Sequence, residues 1–326
     1  MSKNKRKEEK IITWPLYATL LALMVLYAVF YMYPGISFVI SGLAIAIIII
    51  AIVMDFRYSI KSTGYKRTVT EIAIGLGAIV VLWLCLIFFL HTNHPLDVVP
   101  SCSMLPKIRP GDLLLISGVQ NIKDINAPII NVTNYSYDSW MQNYQRDELE
   151  CVFYDKSNPT RISQNYVEGY AIGLYSPYYN AIVPNSSQQY NLVKYTCQER
   201  KLLLPNNTYT YIAYTSSISI AGKTIYGDNN NTVIVYKTLP QDSFYKEGSR
   251  FVVHRVYAII NASGSYYFLT KGDNNPGLDI QYGNYPASFS DIEGKLVYNV
   301  PYIGYIKLLL NGELAQTTGC NQTIVH

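Results

Sequence analysis

Three residues carry the chemistry this chain is equipped for. Ser103 sits in Ser101-Cys102-Ser103-Met104-Leu105-Pro106, and His254 sits in Phe251-Val252-Val253-His254-Arg255-Val256. Asp279 lies six residues past the Asp273 of Lys271-Gly272-Asp273-Asn274-Asn275. A hydroxyl, an imidazole and a carboxylate are the parts of an activated nucleophile. The imidazole takes the hydroxyl proton, while the carboxylate holds the tautomer and steadies the imidazolium. An imidazole with an ordinary pKa of about 6.5 accepts that proton near neutrality and returns it to a leaving amine. Of the four histidines, His91 and His94 border an apolar run and His326 is terminal, so His254 is the one inside a strand-like segment. Cys102 has two readings. As a thiolate it rivals the serines as nucleophile; in an extended strand it is a small filler whose side chain points away from those of Ser101 and Ser103.

Apolar runs must place these groups. Hydrophobic residues make up 49% of the chain and charged ones 15%, a balance that leans away from an ordinary soluble protein. The cause is local: Trp14 to Tyr33, Ile36 to Met54 and Ile72 to Leu90 hold no Asp, Glu, Lys or Arg. Each is close to the ~20 helical residues that span a ~30 Å hydrocarbon core, and backbone in lipid must bond internally. These runs predict three transmembrane helices, at about 14–33, 36–54 and 72–90. A cleaved leader is the competing reading of the first run, but Pro34-Gly35 leads straight into the second with no small-residue cleavage site. Lys3, Lys5, Arg6, Lys7 and Lys10 precede the first run, and Arg57, Lys61, Lys66 and Arg67 lie between the second and third. The positive-inside rule then places the N-terminus in the cytoplasm and everything after Leu90 outside a cell membrane crossed several times. Ser103 follows Leu90 by 13 residues, so the nucleophile is expected near the lipid surface.

The outer part reads as mainly β. Val98 to Ile116 predicts a strand, a turn at Arg109-Pro110-Gly111-Asp112 and a second strand. Thr232 to Thr238, Phe251 to Ile260, Tyr266 to Thr270, Lys295 to Asn299 and Tyr302 to Leu310 predict further strands, the last one alternatively resting on the membrane. No helical period of useful length is visible after Leu90. Residues 117–231 change in texture to Tyr, Asn, Ser and Thr, and read as an inserted β-rich subdomain. The expected organisation is a membrane anchor at 1–90, a catalytic β domain at 91–116 and 232–326, and the insertion at 117–231. Residues 91–326 carry 17 basic and 18 acidic residues, which gives no electrostatic case for nucleic acid. Asn131, Asn134, Asn185, Asn206, Asn230, Asn261 and Asn321 begin Asn-x-Ser/Thr triplets and are acceptors for N-glycans on an outer face. Five cysteines fit no zinc spacing, and neither metal nor cofactor is expected. Cys85 reads as an apolar packer in the third run, while Cys151 and Cys197 either form a disulfide outside or stay free.

The blocks together resemble a type I signal peptidase of the archaeal and endoplasmic-reticulum kind. The matching pieces are Pro100-Ser101-Cys102-Ser103-Met104-Leu105-Pro106 with Arg109-Pro110-Gly111-Asp112, then Val253-His254-Arg255-Val256. Leu269-Thr270-Lys271-Gly272-Asp273-Asn274-Asn275 with Asp279 follows, and then Val300-Pro301-Tyr302-Ile303-Gly304. The resemblance implies a β catalytic core and a serine endopeptidase that removes leaders from exported preproteins, after small residues at the first and third positions before the cut. It implies Ser103 as nucleophile and His254 as general base, where the bacterial branch carries a lysine. It gives Asp279 as the orienting acid, with Asp273 a structural acid or a rival for that role. Ser101 and the Ser103 N–H would form the oxyanion hole, and Met104 and Pro106 would touch substrate. Preproteins, the export machinery and the bilayer are the implied partners. The chain departs from the family pattern in its 151-residue Ser103–His254 spacing and its three runs. A non-catalytic surface glycoprotein, with the insertion as a glycan- or protein-binding module, is the other reading, and a peptidase acting on other membrane-anchored precursors is a third.

Overall fold

Helices lead the chain and strands follow. The computed structural model describes residues 18–23, 25–26, 34–144, 149–165, 168–169, 171–177, 181–183, 192–305, 307–308, 320 and 322–325. Helix α1 (Pro34–Thr63) and helix α2 (Tyr65–Leu90) meet at Gly64, whose φ of 83° breaks the helical path where a side chain would be strained. Among the described residues α2 is the helix long and apolar enough to cross a bilayer. Its Ile74, Leu76, Ile79, Leu82, Phe88 and Phe89 are exposed, and hydrocarbon is the solvent that suits them. The expected run 72–90 lies in α2 and the run 36–54 in α1; the run 14–33 falls largely outside the described residues. One membrane-length apolar helix, rather than three, is what the described helices establish.

The end of α2 is fastened to the sheet. The Leu90 carbonyl accepts the Gly118 N–H at 2.7 Å, and Thr92 Oγ1 donates to the Glu293 carbonyl at 3.1 Å. His91 takes a left-handed conformation as the helix stops. A Cβ on Gly118 would run into the His91 carbonyl, so glycine is required where helix and sheet touch.

The main sheet follows the order β1 (Leu96–Val98), β2 (Leu113–Ser117), β14 (Ile292–Val300), β10 (Val233–Lys237), β11 (Phe251–Ala262), β12 (Ser265–Lys271) and β13 (Ala287–Ser288). Strand β3 (Ile129–Val132) pairs in parallel with the far end of β11. A second sheet joins β4 (Glu150–Phe153), β5 (Ile172–Ser176) and β6 (Ala181–Val183). A third joins β15 (Thr323–Ile324), β7 (Val193–Leu203), β8 (Tyr209–Ile220) and β9 (Lys223–Tyr226). Residues from the expected insertion and the expected catalytic domain thus interleave: β3 serves the main sheet, and β15 serves the Tyr-rich one.

Side-chain alternation sets the core. On β11, Val252 and Val256 face a cluster with Ile234, Tyr236 and Phe268. A bulge between Val256 and Ala258 then re-phases the strand, so that Ala258, Ile260 and Ala262 face the other sheets through Leu174, Val193, Ile218 and Ile220. Two expectations differ from what is found. An 11-residue helix, α3 (Asn134–Tyr144), lies inside the Tyr/Asn-rich stretch and buries Tyr137 and Trp140 against the same core. Its aromatic anchors are three residues apart, a helical spacing hidden among polar residues. The expected final strand at Tyr302–Leu310 is instead a turn at 301–304 followed by helical residues 305, 307 and 308. Tyr302 has a φ of 63°, and Gly304 lies so close to Val98 and the Gly111 carbonyl that no side chain fits. Gly118→Ala is expected to lower stability by about 1–3 kcal/mol, because its Cβ meets backbone that cannot step aside. Thermal unfolding of the full chain in detergent checks this.

Candidate active site

The turn that carries Ser103 is built by its apolar residues. Met104 and Ile108, four apart, drop into a cluster with Val99, Leu114, Ile116, Val233 and Val235. The Ile108 N–H bonds to the Met104 carbonyl at 3.1 Å, and the Leu105 N–H bonds to the Cys102 carbonyl at 3.2 Å. Ser101 is left exposed and Ser103 half-buried. Met104, expected to touch substrate, is 0% exposed and anchors the turn instead, while Pro106 is exposed. Asp112 holds the far side of this region: it is buried and accepts from the Arg109 N–H at 2.9 Å and from Asn299 Nδ2 at 2.9 Å.

His254 and Asp279 come together in the interior. Nδ1 of His254 lies 2.7 Å from Oδ2 of Asp279, and the two are 3% and 2% exposed. The same oxygen accepts Thr270 Oγ1 at 2.6 Å and the Tyr236 hydroxyl at 2.9 Å. Phe244 packs edge-on to the imidazole, with centroids 5.9 Å apart. Burial pushes the Asp279 carboxyl upward. The His254 charge and the bonds from His254, Thr270 and Tyr236 outweigh that and hold it below its ordinary value. Its Oδ1 is buried without a partner among the described residues. Tyr236 and Thr270 were not singled out from sequence. The available signal was their alternation with apolar neighbours on strands flanking His254.

Asp273 does something else. Its two oxygens each lie 2.7 Å from Nε and Nη2 of Arg255, a two-pronged ion pair on the residue beside His254. Arg255 Nη1 also donates to the Asn229 and Asn231 carbonyls. Asp279 touches the imidazole and Asp273 clamps the strand that carries it.

The loop after β12 joins the two halves of the site. The Asn274 N–H donates to the Ser103 carbonyl at 2.7 Å, and Asn274 Nδ2 to the Cys102 carbonyl at 3.2 Å. A Cβ on Gly272 would come within 2.7 Å of the Ser103 carbonyl. Ser103 Oγ lies 3.2 Å from Ser101 Oγ, and no hydrogen bond joins it to His254. Strand β12 pairs with β11 only from Arg255 onward, and β10 pairs with the opposite edge. Among the described residues, Phe251–His254 therefore has an unpaired edge, and Val253 packs against the cluster that holds Met104.

Cys102 is neither a filler nor a free thiol. It is bonded to Cys320, and Cys151 is bonded to Cys197, leaving Cys85 free. The extended strand expected at 101–103 is a turn, so the thiol points where the returning C-terminal segment can reach it. That segment is fixed further by Ile324 N–H to Asn274 Oδ1 at 2.8 Å and by β15 pairing with β7. Among the described residues no cluster of His, Cys, Asp or Glu has metal-binding geometry. Of the glycan acceptors, Asn131, Asn134, Asn206 and Asn230 are exposed, Asn261 is half-buried, and Asn185 and Asn321 lie outside the described residues.

Comparison with known proteins points to the same family. Over 63 residues the chain is 38% identical to the signal peptidase complex catalytic subunit of Colletotrichum graminicola. Over 63 residues it is 36% identical to the subunit of the same name from Verticillium alfalfae. Each match covers 18% of this chain and 37% of the relative, so the chain spans little more than a third of the length of the curated relatives it matches. No family profile matches the chain, and no solved structure does. The chain resembles the endoplasmic-reticulum type of signal peptidase.

The geometry makes three predictions. Cys320→Ser opens a 218-residue covalent loop and is expected to cost about 2–5 kcal/mol in denaturant unfolding. Alkylation of the unreduced, unfolded wild-type chain should label Cys85 alone. Because Asp279 is held below its ordinary 3.8, its stabilisation is present above that pH and is lost as pH falls through the lower folded value. Acid titration of stability should therefore fall more steeply below pH 3.8 for the wild type than for Asp279→Asn.

Proposed function

We propose that this chain is a membrane-bound serine endopeptidase that removes N-terminal signal peptides from exported preproteins. The observation that carries this reading is the buried His254–Asp279 pair, with the loop after β12 bonded to the backbone of Ser103. Ser103 is the nucleophile, His254 the general base and Asp279 the group that fixes the imidazole. In the resting state the Ser103 hydroxyl is shared with Ser101. Substrate engagement turns it to the imidazole, as serine hydroxyls in unliganded sites tighten their bonds only with substrate present. His254 takes the proton while Ser103 Oγ attacks the scissile carbonyl. The Ser101 hydroxyl and the Ser103 N–H receive the oxyanion. The imidazolium then protonates the leaving amine, and water releases the acyl group by the reverse sequence.

The unpaired edge of Phe251–His254 suits an extended substrate, which adds to it as a further strand through main-chain bonds. Small residues before the cut are the preference that the family resemblance brings to this site. Asp273 serves as a positioning residue through Arg255, and Pro106 borders the substrate path. The anchor, three spans within residues 1–90, keeps the N-terminus cytoplasmic and the catalytic domain outside. The main β domain at 91–116 and 232–326 and the insertion at 117–231 are tied by β3 and β15. Partners are signal-bearing preproteins, the export machinery and the bilayer, and glycans at the exposed Asn-x-Ser/Thr sites suit an outer face. The relatives' name, a subunit of a complex, extends to this chain as a partner class.

Ser103→Ala and His254→Ala should each abolish cleavage of a preprotein with an Ala-x-Ala site, assayed with the full chain in liposomes. Asp279→Asn should lower kcat by up to about 10⁴-fold with little change in KM, since the geometry persists while the tautomer is lost. Unchanged cleavage by Ser103→Ala refutes the reading.

A further inference from the structure

A cavity of about 220 Å³ opens between the main sheet and the Tyr-rich sheet, separate from the His254–Asp279 pair. Arg200, Tyr214, Arg255, Lys271 and Asp273 line its interior, and the exposed Asp228 lies at its rim. Arg255 and Asp273 neutralise one another through their paired bonds. Asp228 accepts the Asn230 N–H at 2.8 Å. The two remaining cations have no carboxylate bonded to them among the described residues. Lys271, 4% exposed, donates to the Tyr214 hydroxyl at 3.1 Å and the Gly272 carbonyl at 3.3 Å, and its ammonium sits 4.3 Å over the Tyr214 ring. Arg200 lies 5.6 Å from the same ring, and its Nε is buried without a partner among the described residues. A buried donor left unbonded is costly, and a planar anion is what a guanidinium fork binds best. Burial lowers the Lys271 ammonium to about 8 despite the opposing pull of Asp273 and Asp279, so it too gains from an added anion.

One wall of the cavity reaches the backbone of the Ser103 turn. Gly272 lines it and also abuts the Ser103 carbonyl. A leader carries basic residues, an apolar stretch and small residues at its cut, so it supplies no carboxylate. An acid must come from the chain beyond the cut. We propose that this cavity binds a carboxylate side chain of the substrate segment following the scissile bond, and that Arg200, contributed by the Tyr-rich sheet, determines specificity there. The proposal rests on the peptidase reading for the identity of its ligand.

The test is a binding measurement on the full chain in detergent, carrying Ser103→Ala so that nothing is consumed. Labelled peptides with an Ala-x-Ala site carry Glu or Gln at each of the first four positions after it, and fluorescence anisotropy gives Kd. At one position Glu should bind about tenfold tighter than Gln, the scale of one charge-assisted contact. Arg200→Gln should erase the difference, Arg200→Lys should keep part of it, and Lys201→Gln, one residue along β7 and facing the opposite way, should keep all of it. Equal affinities at every position, or a Glu preference that survives Arg200→Gln, overturn the proposal. The same peptides offered to the wild-type chain separate the two claims. An Arg200-dependent preference without any turnover sustains the carboxylate site and counts against the peptidase.

Discussion

A single carboxylate oxygen holds the centre of this protein together. Oδ2 of Asp279 receives His254, Thr270 and the Tyr236 hydroxyl, each from a different strand of the main sheet. A buried charge is costly unless it is paired and bonded, so the site exists only while all three donors are in place. That requirement fixes the register of β10, β11 and β12 relative to one another. A one-residue slip of β11 would turn His254 to the opposite face and leave the buried carboxylate with only its two neutral hydroxyl donors.

Ser103, the proposed nucleophile, is located by different means. Its turn has no regular structure, and three independent ties hold it: Met104 sunk in the core, Asn274 bonded to its backbone, and the Cys102–Cys320 bridge. The last two also capture the C-terminal segment, which reaches on to the Tyr-rich sheet through β15. The sheet beyond the main one is therefore connected to the Ser103 turn through main-chain pairing and a covalent bond. This arrangement gives the Tyr-rich stretch a physical route to influence the turn that carries Ser103.

His254 was legible in the sequence as the one histidine inside a strand-like run, whereas Asp279 was one of two acids that the family resemblance offered, and only the structure bonds it rather than Asp273 to the imidazole. Tyr236 and Thr270 were not legible, since a tyrosine or threonine within a β-branched run reads equally as packing. The resemblance alone points to Met104 as a substrate contact, whereas Met104 and Ile108 recur four apart and anchor a turn where a strand was expected. The Cys102–Cys320 bridge joins residues 218 apart in sequence, and no local pattern reports which cysteine returns to which. Tyr302–Leu310 carried the composition of a strand, but the contact of Gly304 with Gly111 imposed a turn there. The helix α3 was hidden for a related reason: two aromatic anchors in a polar stretch give a weak period, and tertiary packing supplied the rest.

The most direct test of the central claim is chemical labelling of the nucleophile. The full chain in detergent is treated with a serine-directed acylating or phosphonylating reagent, and the modified residue is found by mass spectrometry. The account predicts a stoichiometric adduct on Ser103 that disappears in His254→Ala. Labelling of Ser103 at an equal rate without the imidazole, or no adduct on Ser103 at all, would contradict it.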